Sequence, residues 1–305
     1  GSNDQNKINN TIAAMPAIGG AILLGSGHIS IAAPILISRG VDFRGKNQST
    51  IITLANGSNC DMVKFLYSNN VYKQHARFGD MILFGNGSNN TGAWVKGINL
   101  QPSGTADYVR DILIENVWVD AVYGDGIGTT SGASLSHHVL INHCSLEHNF
   151  LCGAALSDGG EYVISDCLVY DNHTVGITQS SGAGKRKIIN SHFEYNYREA
   201  IKINTFNAFN YPATVMLVAN NSISRNGYTS GGGAYSMINT ASVGAIFTGN
   251  TITGNDILGN PKYGFEETGA ADYNIITGNV IKTTGTLGNI AVIGAHTVNA
   301  NNVIV

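Results

Sequence analysis

The chain repeats itself. Short, β-prone apolar runs recur at residues 112–117, 139–144, 162–167, 188–193, 218–223, 247–252 and 276–281, each carrying a small polar residue toward its end. Taking Asn116, His143, Asp166, Ser191, Asn221, Asn250 and Asn279 as equivalent, the intervals are 27, 23, 25, 30, 29 and 29 residues. A fixed period in this range marks an array of stacked units. No helical 3.6-residue period fills the space between runs, so each interval is one coil of a solenoid built from parallel strands.

A second motif follows each run: Gly126-Ile127, Gly153-Ala154, Gly176-Ile177, Ala200-Ile201 and Gly264-Phe265. A second polar column, Asn149, Asn172, Asn196, Asn226 and Asn255, precedes it. Coils stack about 4.8 Å apart, so equivalent Asn side chains can hydrogen-bond along the stack as ladders. Most Asn residues are thereby assigned to turns. The 38 Gly and only 5 Pro of the 305 residues fit a chain full of tight turns. At the N-terminus, Ile8, Ile12 and Met15 share one helical face and Pro16 ends the pattern. This predicts a capping helix over residues 3–16, covering the first coil's apolar cross-section, with coils over 17–305. The predicted fold is all-β, a single right-handed parallel β-helix domain with a short N-terminal cap. After Val305 no capping segment follows, so an additional domain or an oligomer partner is expected at that end.

Only 12% of residues are charged and the formal net charge is −3. That balance argues against nucleic acid, which selects a basic face, and against anionic membranes. No run approaches the roughly 18 apolar residues of a membrane span. The four Cys lack metal-site spacing and read as small buried hydrophobes.

The opening helix, the Gly19–Leu24 strand, the Gly40–Gly45 turn and the Asn-rich coils after Asp111 resemble pectate-lyase-like β-helix domains, including alginate C5-epimerases and phage tailspike depolymerases. The resemblance implies polysaccharide as the partner and an extracellular, cell-surface or virion location. Epimerases carry a Tyr-Gly-Phe-Asp-Pro-His-Glu segment. The matching stretch, residues 123–130, keeps Tyr-Gly and lacks Asp-Pro-His-Glu, so the resemblance bears on fold rather than reaction. No cofactor is expected. Calcium is the one ion the resemblance admits, at Asp256, Glu266 and Glu267, although no loop has an EF-hand pattern.

The Gly-Ile strands and their flanks hold most of the scarce ionisable groups, and the outward or flanking positions there are Asp125, Asp158, His173, Arg198, Glu199, Lys202, Asn204, Glu266 and Glu267. Glycoside hydrolysis needs two carboxyl groups about 5 to 9.5 Å apart. Asp125 and Glu199, three coils apart at about 14 Å, make a poor pair, while Asp158 with Glu199 falls near 10 Å. Lyase or epimerase chemistry needs a cation against the substrate carboxylate and groups to move the C5 proton. Arg198 and Lys202 serve the first need, and His173, Tyr197 or Tyr123 the second. The expected catalytic set is Asp158, His173, Arg198, Glu199 and Lys202. Tyr123, Asp125, Phe150, Tyr197, Asn204 and Glu266 are expected to bind substrate, the aromatic members by stacking on sugar rings. Two other readings stand beside the enzyme: a non-catalytic glycan-binding adhesin, cell-wall or cellulose-binding module, and a structural spike segment. His148 and Asp171, in adjacent coils of another column, read as a turn contact or a catalytic dyad.

Overall fold

A computed structural model describes residues 4–16, 18–66, 75–92, 94–100, 109–129, 136–157, 160–180, 184–204, 215–227, 234–254, 261–282 and 286–305. After helix α1 (Asp4–Ala14) the described chain is a stack of short parallel strands in two sheets. The broad sheet holds twenty strands and the narrow sheet ten. Most described coils cross the broad sheet in two segments and the narrow sheet in one, as in Ser136–Asn142, Ser145–Glu147 and Ala154–Ser157, while Ala76–Phe84 and Val109–Asp120 each cross the broad sheet as one continuous strand. In every pair that forms the sheets the strands run parallel and in register, so coil n+1 repeats the wall of coil n one layer higher.

The bends of the coil are set by single residues in the left-handed region. One column of them is Asp80, Asn116, His143, Asp166, Asn190 and Asn220, with φ between 50° and 59°. Glycine takes the position over at Gly249 and Gly278. The second column, Ala121, His148, Asp171, Tyr195 and Arg225, turns the chain toward the narrow sheet. Asn and Asp tolerate this conformation. The other members are held there because the stacked coils on either side leave the chain no other path.

Two amide ladders stand behind these bends. Asn149, Asn172, Asn196 and Asn226 are fully buried. Their side chains donate Nδ2 to the next Oδ1 at 2.9, 2.9 and 2.7 Å. The other ladder runs Asn221, Asn250, Asn279, Asn302, with 2.9 Å at each step. Asn255 lies outside the described residues. Ser191 precedes Asn221 in the second ladder: its Oγ accepts from the Cys167 N–H at 3.2 Å, and its own N–H donates to Asn221 Oδ1 at 3.0 Å. The equivalence predicted from sequence therefore slips by one residue. Asn116, His143 and Asp166 pair with Asn190, and the partners of Ser191 are Val117, Cys144 and Cys167.

Between the walls lies a continuous apolar core, including Phe43, Phe78, Ile114, Val119, Phe193, Phe247 and Phe265. Cys144, Cys152 and Cys167 are buried and Cys60 half-buried, all as free thiols. Burial pushes the Cys152 thiol up to about 12, with the neighbouring Asp125 adding to the effect. Helix α1 buries Ile8 and Ile12 against the first coil. Asn9 ties it down, donating to Pro34 O at 2.9 Å and accepting from the Leu36 N–H at 2.8 Å. No described helix is long and apolar enough to cross a membrane.

Candidate active site on the narrow sheet

The Gly-Ile strands are the narrow sheet. Ile127, Ala154, Ile177, Ile201, Ile238 and Phe265 are successive register partners pointing into the core. The Ile238 coil is absent from the sequence motif because Met237 replaces the Gly or Ala that precedes Ile elsewhere. Alternation puts the residues after them outward: Gly128, Ala155, Thr178, Lys202, Asn239 and Glu266 form one column.

Charge gathers at the upper half of this column. Glu199 is only 3% exposed. Lys202 Nζ lies 3.5 Å from its Oε1 and Arg198 Nε 3.5 Å from its Oε2. The Arg198 contact lacks hydrogen-bond geometry, so Oε2 is buried and accepts no hydrogen bond. The Arg198 guanidinium rests on the Tyr235 ring, 4.4 Å from its centroid. Two strands above Lys202, about 10 Å by strand spacing, Glu266 is ion-paired with Lys262. It also accepts from Ser236 Oγ at 2.7 Å and Asn239 Nδ2 at 3.2 Å. Asn239 stands between Lys202 and Glu266 in the column, one strand from each.

Lower on the same sheet, Asp125 is in register with Lys96. Burial holds its carboxyl above the usual carboxylate range, against the lowering effects of the Cys152 N–H (3.2 Å) and of Lys96. Asp125, Glu199 and Glu266 were expected at outward or flanking positions, but all three are buried. For Asp125 and Glu199, strict alternation fails at the corner where the chain enters the narrow sheet, whereas Glu266 keeps its place in the outward column and is covered by its partners Lys262, Ser236 and Asn239. Asp125 and Glu199 stand three coils apart, as the repeat predicts. Asn204 is half-buried just past Ile203, its N–H donating to Gln179 O at 2.7 Å. Asp158 and Asp256 lie outside the described residues.

Tyr123, Phe150, His173 and Tyr197 stack on one another along the edge of this sheet, with centroids 4.8, 4.8 and 5.1 Å apart and planes tilted by 32°, 48° and 43°. The inner rings spend their faces on each other, which leaves their edges outward. Tyr197, beside Arg198, is 36% exposed. Sequence reasoning missed Trp94. Counting back from the Lys96–Asp125 register places it one coil below Tyr123, with 71% of its surface exposed. It was missed because no repeat motif had been recognised before residue 109. Among the described residues no group of three or more His, Cys, Asp or Glu is placed to hold a metal ion. Glu267, expected beside Glu266 as a calcium carboxylate, turns inward and is hydrogen-bonded within the wall.

The arrangement offers cations, a buried carboxylate with a free lone pair, and hydroxyl, amide and imidazole groups along one extended face. The fold has many relatives. The A-module of the Azotobacter vinelandii mannuronan C-5 epimerase AlgE4 superposes with a TM-score of 0.56 at 17% identity, covering 97% of this chain and 96% of that one. ORF18 of Geobacillus virus E2 gives 0.59 at 14% identity, over 92% and 55%. The Dettilon tailspike protein gp208 gives 0.51 at 13%, over 98% and 64%. No curated protein matches the chain by sequence. Likeness at such identities establishes the path of the backbone. The profile of the right handed beta helix region matches residues 96–281, more than half of the chain, and the chain belongs to that family.

Proposed function

We propose that the chain is a carbohydrate-active enzyme that binds an acidic polysaccharide along the narrow sheet and transforms it there. The observation that carries this reading is the Arg198–Glu199–Lys202 cluster, a buried carboxylate between two cations on an extended, outward-facing wall in a charge-poor protein. Arg198 and Lys202 would hold a uronate carboxylate and stabilise charge developing next to it. Glu199 Oε2, which accepts no hydrogen bond, would take the sugar-ring proton. His173 and Tyr197 would serve at the leaving oxygen, and Glu266 and Asn204 would contact flanking sugars. Asp125 would act further down the wall, and Asp158, which follows strand Ala154–Ser157 in the sequence, completes the proposed catalytic set. The family's relatives named as an epimerase and a tailspike support a polymer substrate met outside the cell, at a surface or on a virion.

The reaction is read from products. The protein is incubated with acidic and neutral polysaccharides while the ultraviolet absorbance of unsaturated uronate, new reducing ends and C5 deuterium exchange are followed. An unsaturated product identifies a lyase, exchange without cleavage an epimerase, and reducing ends alone a hydrolase. Glu199→Gln should lower turnover at least about 100-fold, the usual worth of a positioned acid or base. Turnover of no acidic polysaccharide, or unchanged turnover in Glu199→Gln and Lys202→Met, would remove this site. One observation favours a second reading, a non-catalytic glycan binder: Arg198, Lys202 and Lys262 are each paired with a carboxylate of the same wall. Retention on insoluble glycan with no product of any kind would select it.

A further inference from the structure

The broad sheet carries a pocket that the narrow-sheet chemistry does not use. Its floor is Trp118, near the end of strand Val109–Asp120, with Ser145 beside it in register one coil higher. The short 3-10 turn Asn47–Ser49 overhangs it and brings in Asn47 and Gln48, while Asn116 and His143 close the side. Its volume is about 460 Å³, within the roughly 300–1,000 Å³ of small-molecule sites and ample for one or two hexose rings.

The chemistry of the lining is selective. The described lining contains an indole, amides, a hydroxyl and one imidazole, and no Lys, Arg, Asp or Glu. An aromatic plate with neutral hydrogen-bonding groups around it matches a pyranose, which has an apolar C–H face and a rim of hydroxyls. The Trp118 Nε1–H is buried and finds no acceptor in the protein. An unmet donor of this kind costs about 1–3 kcal/mol, and a hydroxyl oxygen entering the pocket is the acceptor it lacks. Just beyond the pocket the wall turns acidic. Asp120 and Glu147 are the next outward register pair, Tyr170 and Glu194 continue that column one and two coils on, Asp171 sits at the bend beside Tyr170, and Arg225 is paired with Glu194. An anionic sugar would be repelled there, and a neutral one would find hydroxyl acceptors.

We propose that the Trp118 pocket binds a neutral hexose unit of an oligosaccharide, as a second glycan site on a different wall from the Glu199 cluster. It stands whether or not that cluster proves catalytic. Trp94→Phe removes the other of the chain's two tryptophans and makes Trp118 the only indole reporter. In that background, tri- and tetrasaccharides of neutral hexoses should produce a saturable change in emission, and matched uronate oligosaccharides should not. Gln48→Ala, an exposed change in the overhanging turn, should weaken binding by about tenfold, the worth of one hydrogen bond to the ligand. Lys202→Met should leave the titration unaltered, which separates this site from the narrow-sheet reading. A folded protein with no emission response to any neutral oligosaccharide, an equal response to uronates, or unchanged affinity in Gln48→Ala would each overturn the proposal.

Discussion

Glu267 shows how a carboxylate can be buried in this wall without chemistry. Its oxygens accept from Asn274 Nδ2 and Thr297 Oγ1, each at 2.8 Å, and from the N–H groups of Ile293 and Gly294 at 3.1 and 3.0 Å. All four donors belong to the last coils, so one charge clamps them together. Glu267→Gln turns an acceptor toward donors it cannot satisfy and should cost about 1.5–3 kcal/mol, read as a shift in the urea midpoint. Glu199 is the contrast, a carboxylate equally buried but with one oxygen left unmet. At the surface, the His296 side chain donates to Asp272, and this is the main reason the Asp272 carboxyl lies below its ordinary value, with the N–H groups of His296 and Tyr273 adding to it. A depressed carboxyl contributes stability above the unfolded carboxylate range, near pH 4, and loses it as pH falls through the folded value. His296→Ala should therefore shrink the difference in melting temperature between pH 7 and pH 3. An unchanged difference would show that the contact does not act on stability.

In the ladders the working unit is the column. Asn172 donates Nδ2 to Leu146 O and to Asn196 Oδ1, each at 2.9 Å, and its Oδ1 accepts from Asn149 Nδ2 at 2.9 Å and from the Asn149 N–H at 3.2 Å. Asn172→Ala strands several buried partners at once and should cost about 3 kcal/mol or more, measured by denaturant unfolding. Most of this was legible beforehand, because both ladders have a fixed spacing and a fixed residue type. The register slip before Ser191 was not. In the earlier coils the ladder position holds Val117, Cys144 and Cys167, and the conspicuous polar residue is the left-handed one just before it. A one-residue slip exchanges inside for outside. The burial of Asp125 and Glu199 escaped the sequence for a different reason, since the narrow-sheet register is as the motif predicts and both residues sit at the corner where alternation fails, while Glu266 is covered by its own partners. The ion cluster itself was visible because its members share one short stretch, residues 198–202. The Trp118 pocket was not, since Asn47 and Gln48 reach it from about seventy residues away.

At the scale of the molecule, each described coil is held by its two neighbours, through register pairing, ladder bonds and a shared core. Stability in such a stack is close to a sum of coil terms and nearest-neighbour terms. Damage should then spread only as far as those neighbours. Asn250 Nδ2 donates to Asn279 Oδ1 at 2.9 Å and to Val218 O at 3.0 Å, and the Asn221 side chain donates to Asn250 Oδ1 at 2.9 Å. Its bonds therefore reach one coil down and one coil up. Asn250→Ala should lower amide hydrogen-exchange protection in strands Val215–Ala219, Ile246–Thr248 and Ile275–Thr277. Protection in Ser136–Asn142, four coils below, should be unchanged. Because the Arg198–Glu199–Lys202 coil borders the disturbed region and Trp118 does not, glycan turnover should fall in this variant while oligosaccharide binding at Trp118 persists. A uniform loss of protection from end to end would mean that the solenoid unfolds as one body, and that its two walls cannot be loosened separately.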